Sequence, residues 1–176
     1  MMPPRVVDSV DYKPFETKLP AGRSRAIPWA TVMVGSLFTI IPVIATIPLL
    51  PPFGLVMLLA WRLLARFAFR PWAAAPLGFF DDLVSGQPLG SAVLLWSLAF
   101  VAIDMIEQRL AFRDHWQDWL IASGLIAASL LAGRFIAVPV GAHVDTVLLA
   151  QIVVTMLVFP LAARIVAAIQ NKRGTE

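Results

Sequence analysis

The stretch Pro76-Leu-Gly-Phe-Phe-Asp-Asp-Leu-Val-Ser-Gly-Gln-Pro-Leu-Gly90 sets two adjacent carboxylates in an otherwise apolar segment. Read as a helix over 72–85, it brings Gly78, Asp81, Asp82 and Ser85 to i, i+3, i+4 and i+7, so the small and polar side chains share one face. An Asp at the centre of a membrane helix costs about 2.5–3.5 kcal/mol on insertion scales, so that face is expected to point into a bundle or toward water. Gly86, Pro88 and Gly90 then end the helix and turn the chain. The stretch reads as a short helical hairpin with a polar, glycine-bearing inner face.

The rest of the chain supplies the membrane that this reading needs. Of 176 residues, 59% are hydrophobic and 14% charged, and the mean hydropathy is +0.80. That balance excludes an ordinary soluble domain and points to an all-α integral membrane protein. A formal charge of +3 could suit nucleic acid, but the basic residues sit at the ends of apolar runs, where they act as orientation signals and headgroup contacts. No nucleic-acid partner is expected. Cysteine is absent, which removes disulfides, thiolate metal sites and a cysteine nucleophile. His115 and His143 are isolated, and no metal spacing, phosphate loop or nucleophile elbow occurs, so neither a cofactor nor an enzymatic activity is expected.

Working outward from the hairpin gives six apolar segments, at about 28–49, 53–69, 72–85, 89–106, 117–138 and 144–168. Pro42 is expected to kink the first, and the prolines between Pro48 and Pro52 to close it. The second ends in Trp61, Arg62, Arg66 and Arg70, long side chains suited to a charged surface. The third covers only about 21 Å at about 1.5 Å per residue, short of a hydrocarbon core of about 30 Å. This is a six-helix bundle with one short third helix. Residues 1–25 read as a cytoplasmic tail, 26–170 as one membrane domain and 171–176 as a second tail. With the N-terminus inside, thirteen of the fourteen Lys and Arg fall on the inner side, Arg134 being the exception. Trp29, Trp61, Trp72, Trp116 and Trp119 fall near the same interface as an aromatic belt.

For Asp82 two readings stay open, a structural residue that caps or pairs at the hairpin end and a contact for a partner or ligand. Arg134 is the best ion-pair partner for Asp82 by depth, since each lies late in an outward-running segment. Asp104 and Glu107 beside Arg109 read as an interfacial charged end, and Asp145 with His143 as a solvated outer turn. The small residues between Ser123 and Ser129, and those at Ser85-Gly86, read as packing surfaces between helices.

Leu50-Pro-Pro-Phe53, then Arg70-Pro71, then Gly78 to Gly90, occur in an order and spacing that resembles the MreD family, the membrane subunit of the bacterial rod-shape system. On the family register Gly78, Asp82, Gly86, Leu89 and Gly90 match, whereas Asp81 stands where the family usually has an apolar residue. Phe159-Pro160 before Arg164 is similar to the family's final helix. The resemblance implies a non-enzymatic component of the elongation machinery in the bacterial inner membrane, both termini cytoplasmic. It implies binding to a bitopic MreC and, through it, to MreB filaments, RodA and a class B penicillin-binding protein. It also implies a fold like the substrate-binding S components of energy-coupling-factor transporters. A vitamin-binding S component is therefore the alternative, although the outer turns offer little of the polarity such a pocket needs.

Overall fold

The computed structural model describes residues 23–38, 51–65, 68–109, 114–137 and 146–174. These residues form six α-helices and no strand: α1 (Arg23–Leu37), α2 (Phe53–Leu64), α3 (Ala74–Ser85), α4 (Ser91–Arg109), α5 (His115–Ala137) and α6 (Thr146–Gly174). A short 3-10 turn, Pro71–Ala73, leads into α3 with Pro71 at a first-turn position, where its missing N–H costs nothing. The expected kink at Pro42 lies outside the described residues.

Three of the helices, over Ser91–Arg109, Trp116–Ile136 and Thr146–Asn171, are long and apolar enough to cross a membrane. The apolar segments Ala26–Leu37 and Phe53–Leu64 are shorter. α2 solves the length problem by burial. Its twelve residues rise only about 18 Å, and Leu55, Val56, Leu58, Leu59, Ala60, Trp61 and Leu63 are all buried. α1, α4, α5 and α6 pack around it, while α3 and α4 pack against each other as the hairpin expected from the sequence. The outer surfaces are apolar: Leu94, Leu98, Val101 and Met105 run along α4, and Leu149, Val153, Leu157, Leu161 and Ile165 along α6, all exposed. In water such stripes would drive aggregation; against lipid tails they are neutral.

The start of α1 meets the approach to α3 through Trp29 and Trp72, and the end of α2 meets the end of α4 through Arg62 with Asp104 and Glu107. Leu64, Trp116 and Ala167 line one cavity between the end of α2, the start of α5 and the later part of α6. Ring contacts accompany these meetings: Trp29 meets Phe69 at 6.3 Å and Trp72 at 6.0 Å, and Trp116 meets Trp119 at 5.0 Å. Trp72 and Trp116 are exposed, as members of an interfacial belt should be. Trp61 departs from that expectation. It is buried, and its indole N–H donates to Thr31 Oγ1 at 2.8 Å, which lets a polar ring sit between α1 and α2.

α6 carries Pro160 inside its run, and proline cannot donate to the carbonyl four residues back. That carbonyl belongs to Met156, and the Trp119 indole on α5 donates to it at 3.2 Å. A neighbouring helix thus supplies the bond the proline removes, as unpaired backbone in a membrane interior requires.

Candidate functional site

The hairpin between α3 and α4 is built from four small or polar positions with separate tasks. α3 ends at Gly86, whose φ of 69° is left-handed, a backbone that glycine adopts without strain. α4 begins after Gly90, at φ 96°, whose carbonyl accepts the first helical bond from the Leu94 N–H at 2.9 Å. Gly90 therefore occupies the N-cap position, but it has no side chain with which to cap.

Asp82 supplies the cap from the preceding helix. One carboxylate oxygen, Oδ1, accepts from the Ser91 hydroxyl at 2.9 Å and the Ala92 N–H at 2.8 Å. The other, Oδ2, accepts from the Gly90 N–H at 2.8 Å and the Val93 N–H at 3.4 Å. Both oxygens are thus taken up by donors that an N-terminal turn otherwise leaves orphaned, and the negative charge sits at the positive end of the helix dipole. Asp82 is 1% exposed, so these bonds replace its water. In this geometry the Asp82 carboxylate caps the start of α4. Arg134, chosen by depth as its partner, lines a cavity together with Asp81.

Gly78 lies one turn before Asp82, where α3 and α4 touch. A Cβ there would stand 2.8 Å from the Ala92 carbonyl carbon and oxygen and from Val93 Cα. Hydrogen alone fits, and the resulting approach is what lets Asp82 reach the start of α4. Leu89, the fifth motif position, is 70% exposed at the hairpin tip and makes no part of this lock.

The two carboxylates face different neighbours, although one shared face is expected from their spacing. Asp82 turns to α4. Asp81 turns toward α1 and α2, where a Cβ on Gly54 would meet the Ser36 hydroxyl and, at 3.1 Å, Asp81 Oδ1. Gly35 on α1 backs onto the same point, its missing Cβ 3.0 Å from the Phe53 carbonyl oxygen, so a glycine on each helix makes room for the polar contact.

A second charged cluster is not foreseen by the sequence. Arg62, expected to reach a charged surface, is 7% exposed and pairs with Asp104 and, at 3.3 Å, with Glu107 on α4. Its guanidinium also lies 5.7 Å from the centre of the Phe100 ring, a cation–π position. Asp104 and Glu107, expected to end α4 beside Arg109, thereby tie α4 to the central helix. The signal available is weak: one arginine inside a short apolar run, with two acids three apart on another helix. Among the described residues no group of three His, Cys, Asp or Glu comes together that could hold a metal ion.

A family model for MreD, rod shape-determining protein MreD, matches residues 25–132, a range that contains the whole hairpin and the Arg62 cluster. No curated protein and no solved structure matches the chain.

Proposed function

Because the chain belongs to the MreD family of rod shape-determining proteins, we propose that it is a non-enzymatic scaffold of the cell-elongation machinery in the bacterial inner membrane. The family match is the observation that carries this reading. In it, one membrane domain over residues 26–170 crosses the bilayer with both termini in the cytoplasm. It binds a bitopic MreC-like protein and through that partner joins MreB filaments to RodA and a class B penicillin-binding protein.

The orientation rests on the thirteen-to-one distribution of basic residues. A reporter that fluoresces only in the cytoplasm, fused after Glu176, is expected to be bright. A dark fusion at normal expression would reverse the topology.

Partner binding is expected within the membrane. Apolar helices gain little hydrophobic drive from meeting in lipid, so an interface there depends on close backbone approach. α5 offers such a place: Gly124 and Ala128, four apart, are not buried, and a Cβ at Gly124 would meet nothing within 4 Å. Replacing both with leucine should lower co-purification of the bitopic partner on the order of tenfold, about 1.4 kcal/mol, within the range measured for contacts between membrane helices. Deleting residues 1–20 should leave it intact. If the deletion abolishes the complex and the leucine variant retains it, recognition lies in the tail and this mechanism is wrong.

A further inference from the structure

We infer that a cavity at the hairpin-tip end of the bundle binds a small zwitterion, a molecule or headgroup with an ammonium and a phosphate or carboxylate a few bonds apart. This site goes beyond the scaffold role and does not depend on it. The cavity has a volume of about 280 Å³ and draws its walls from the start of α2, the end of α3, the hairpin turn, α4, α5 and α6. Asp81, Gln87, Ser129, Arg134 and Gln151 line it alongside Trp96 and several leucines.

Charge decides the class of occupant. An acid and a guanidinium line one small space whose remaining wall is largely apolar. A simple anion would complement Arg134 while opposing Asp81, and a simple cation would do the reverse. A zwitterion meets both, its ammonium toward the carboxylate and its anionic group toward the planar donor fork of arginine. The two amides and the serine hydroxyl supply both donors and acceptors between them. Convergent polar groups in a mostly apolar wall are the usual form of a small-molecule site. The volume lies just below the range of about 300–1,000 Å³ for drug-sized ligands, which limits the occupant to amino-acid or headgroup size.

Asp81 supplies the acidic side of this cavity, and it takes no part in capping α4. Asp82 carries out the capping, whereas Asp81 faces α1 and α2 and lines the cavity. The alternative content is water alone, on the order of nine molecules at about 30 Å³ each.

The chemistry has two sources, a phosphatidylethanolamine headgroup and a free solute. The full-length protein, purified in maltoside, is to be probed in two ways. Native mass spectrometry follows lipid retained from nanodiscs of phosphatidylethanolamine or of phosphatidylglycerol. Thermal melting without lipid follows the response to soluble glycerophosphoethanolamine. Retention of phosphatidylethanolamine over phosphatidylglycerol with no response to the soluble headgroup assigns the site to a lipid. A rise in melting temperature with the soluble headgroup assigns it to a free zwitterion. In either case Arg134→Gln and Asp81→Asn should each weaken binding on the order of tenfold or more.

Gly133→Leu keeps both charges and fills the space. A Cβ there would meet only Leu95 Cδ1, at 3.8 Å, and leucine favours the helix over glycine, so this variant should fold and lose binding. If the charge variants yield no monodisperse protein, Gly133→Leu alone decides between a filled site and an empty one. Absence of binding to the unmodified protein, equal retention of both lipids together with no response to the soluble headgroup, or binding unchanged by Gly133→Leu would leave a water-filled cavity and overturn the inference.

Discussion

Replacing Asp82 with lysine is expected to leave little or no monodisperse protein, the largest effect of any single change to the hairpin. The carboxylate accepts three bonds of 2.8–2.9 Å from Gly90, Ser91 and Ala92. A hydrogen bond to a charged group contributes about 1.5–3 kcal/mol, so losing the three removes about 4.5 kcal/mol or more. Lysine adds an ammonium at the positive end of α4, buried among donors it cannot satisfy. Against a total stability of about 5–15 kcal/mol, the sum is enough to prevent assembly. Asp82→Asn should fall between, since an amide oxygen still accepts but its NH₂ group then faces backbone donors. Asp81→Ala should be milder for folding, because Asp81 takes no part in capping α4. Fluorescence-detected size exclusion and thermal melting in detergent rank the three variants. A lysine variant that accumulates and melts like the unmodified protein would show that the cap is not what holds the hairpin.

The hairpin is legible in the sequence because its signals are local. Gly86, Pro88 and Gly90 announce a turn whatever surrounds them, and apolar runs with basic ends mark helices and their limits. The split between Asp81 and Asp82 is not legible. Adjacent residues on a helix differ in direction by about 100°, and which neighbour each one meets depends on how α3 is rotated between α1, α2 and α4. A clue lies in Gly90, a helix start with no side chain of its own for capping, preceded eight positions back by an acid. The Arg62 cluster is hidden for another reason: its partners lie 42 and 45 residues away. Hydropathy also treats the run Phe53–Leu64 as a segment for lipid, since lipid and protein interior are equally apolar. Its position at the centre of the bundle emerges only when the other helices are placed around it.

Gly78 is expected to be the least replaceable glycine, and the reason is geometric. Gly86 and Gly90 are required for their left-handed backbone, and nothing stands within 4 Å of a Cβ at either, so an alanine there would be strained but not blocked. At Gly78 the obstacle is the backbone of Ala92 and Val93 at 2.8 Å, which cannot step aside as a flexible side chain could. Gly78→Ala should therefore cost about 1–3 kcal/mol, the usual range for overpacking. Gly78→Leu should force α3 and α4 apart and pull Asp82 out of reach of Gly90 and Ala92. Cap and close approach then fail together, so the double variant Gly78→Leu with Asp82→Ala should be scarcely worse than Gly78→Leu alone. Thermal melting of the two singles and the double measures that coupling. Full additivity would mean that the glycine and the aspartate act independently, and that the two helices are held together by something other than this lock.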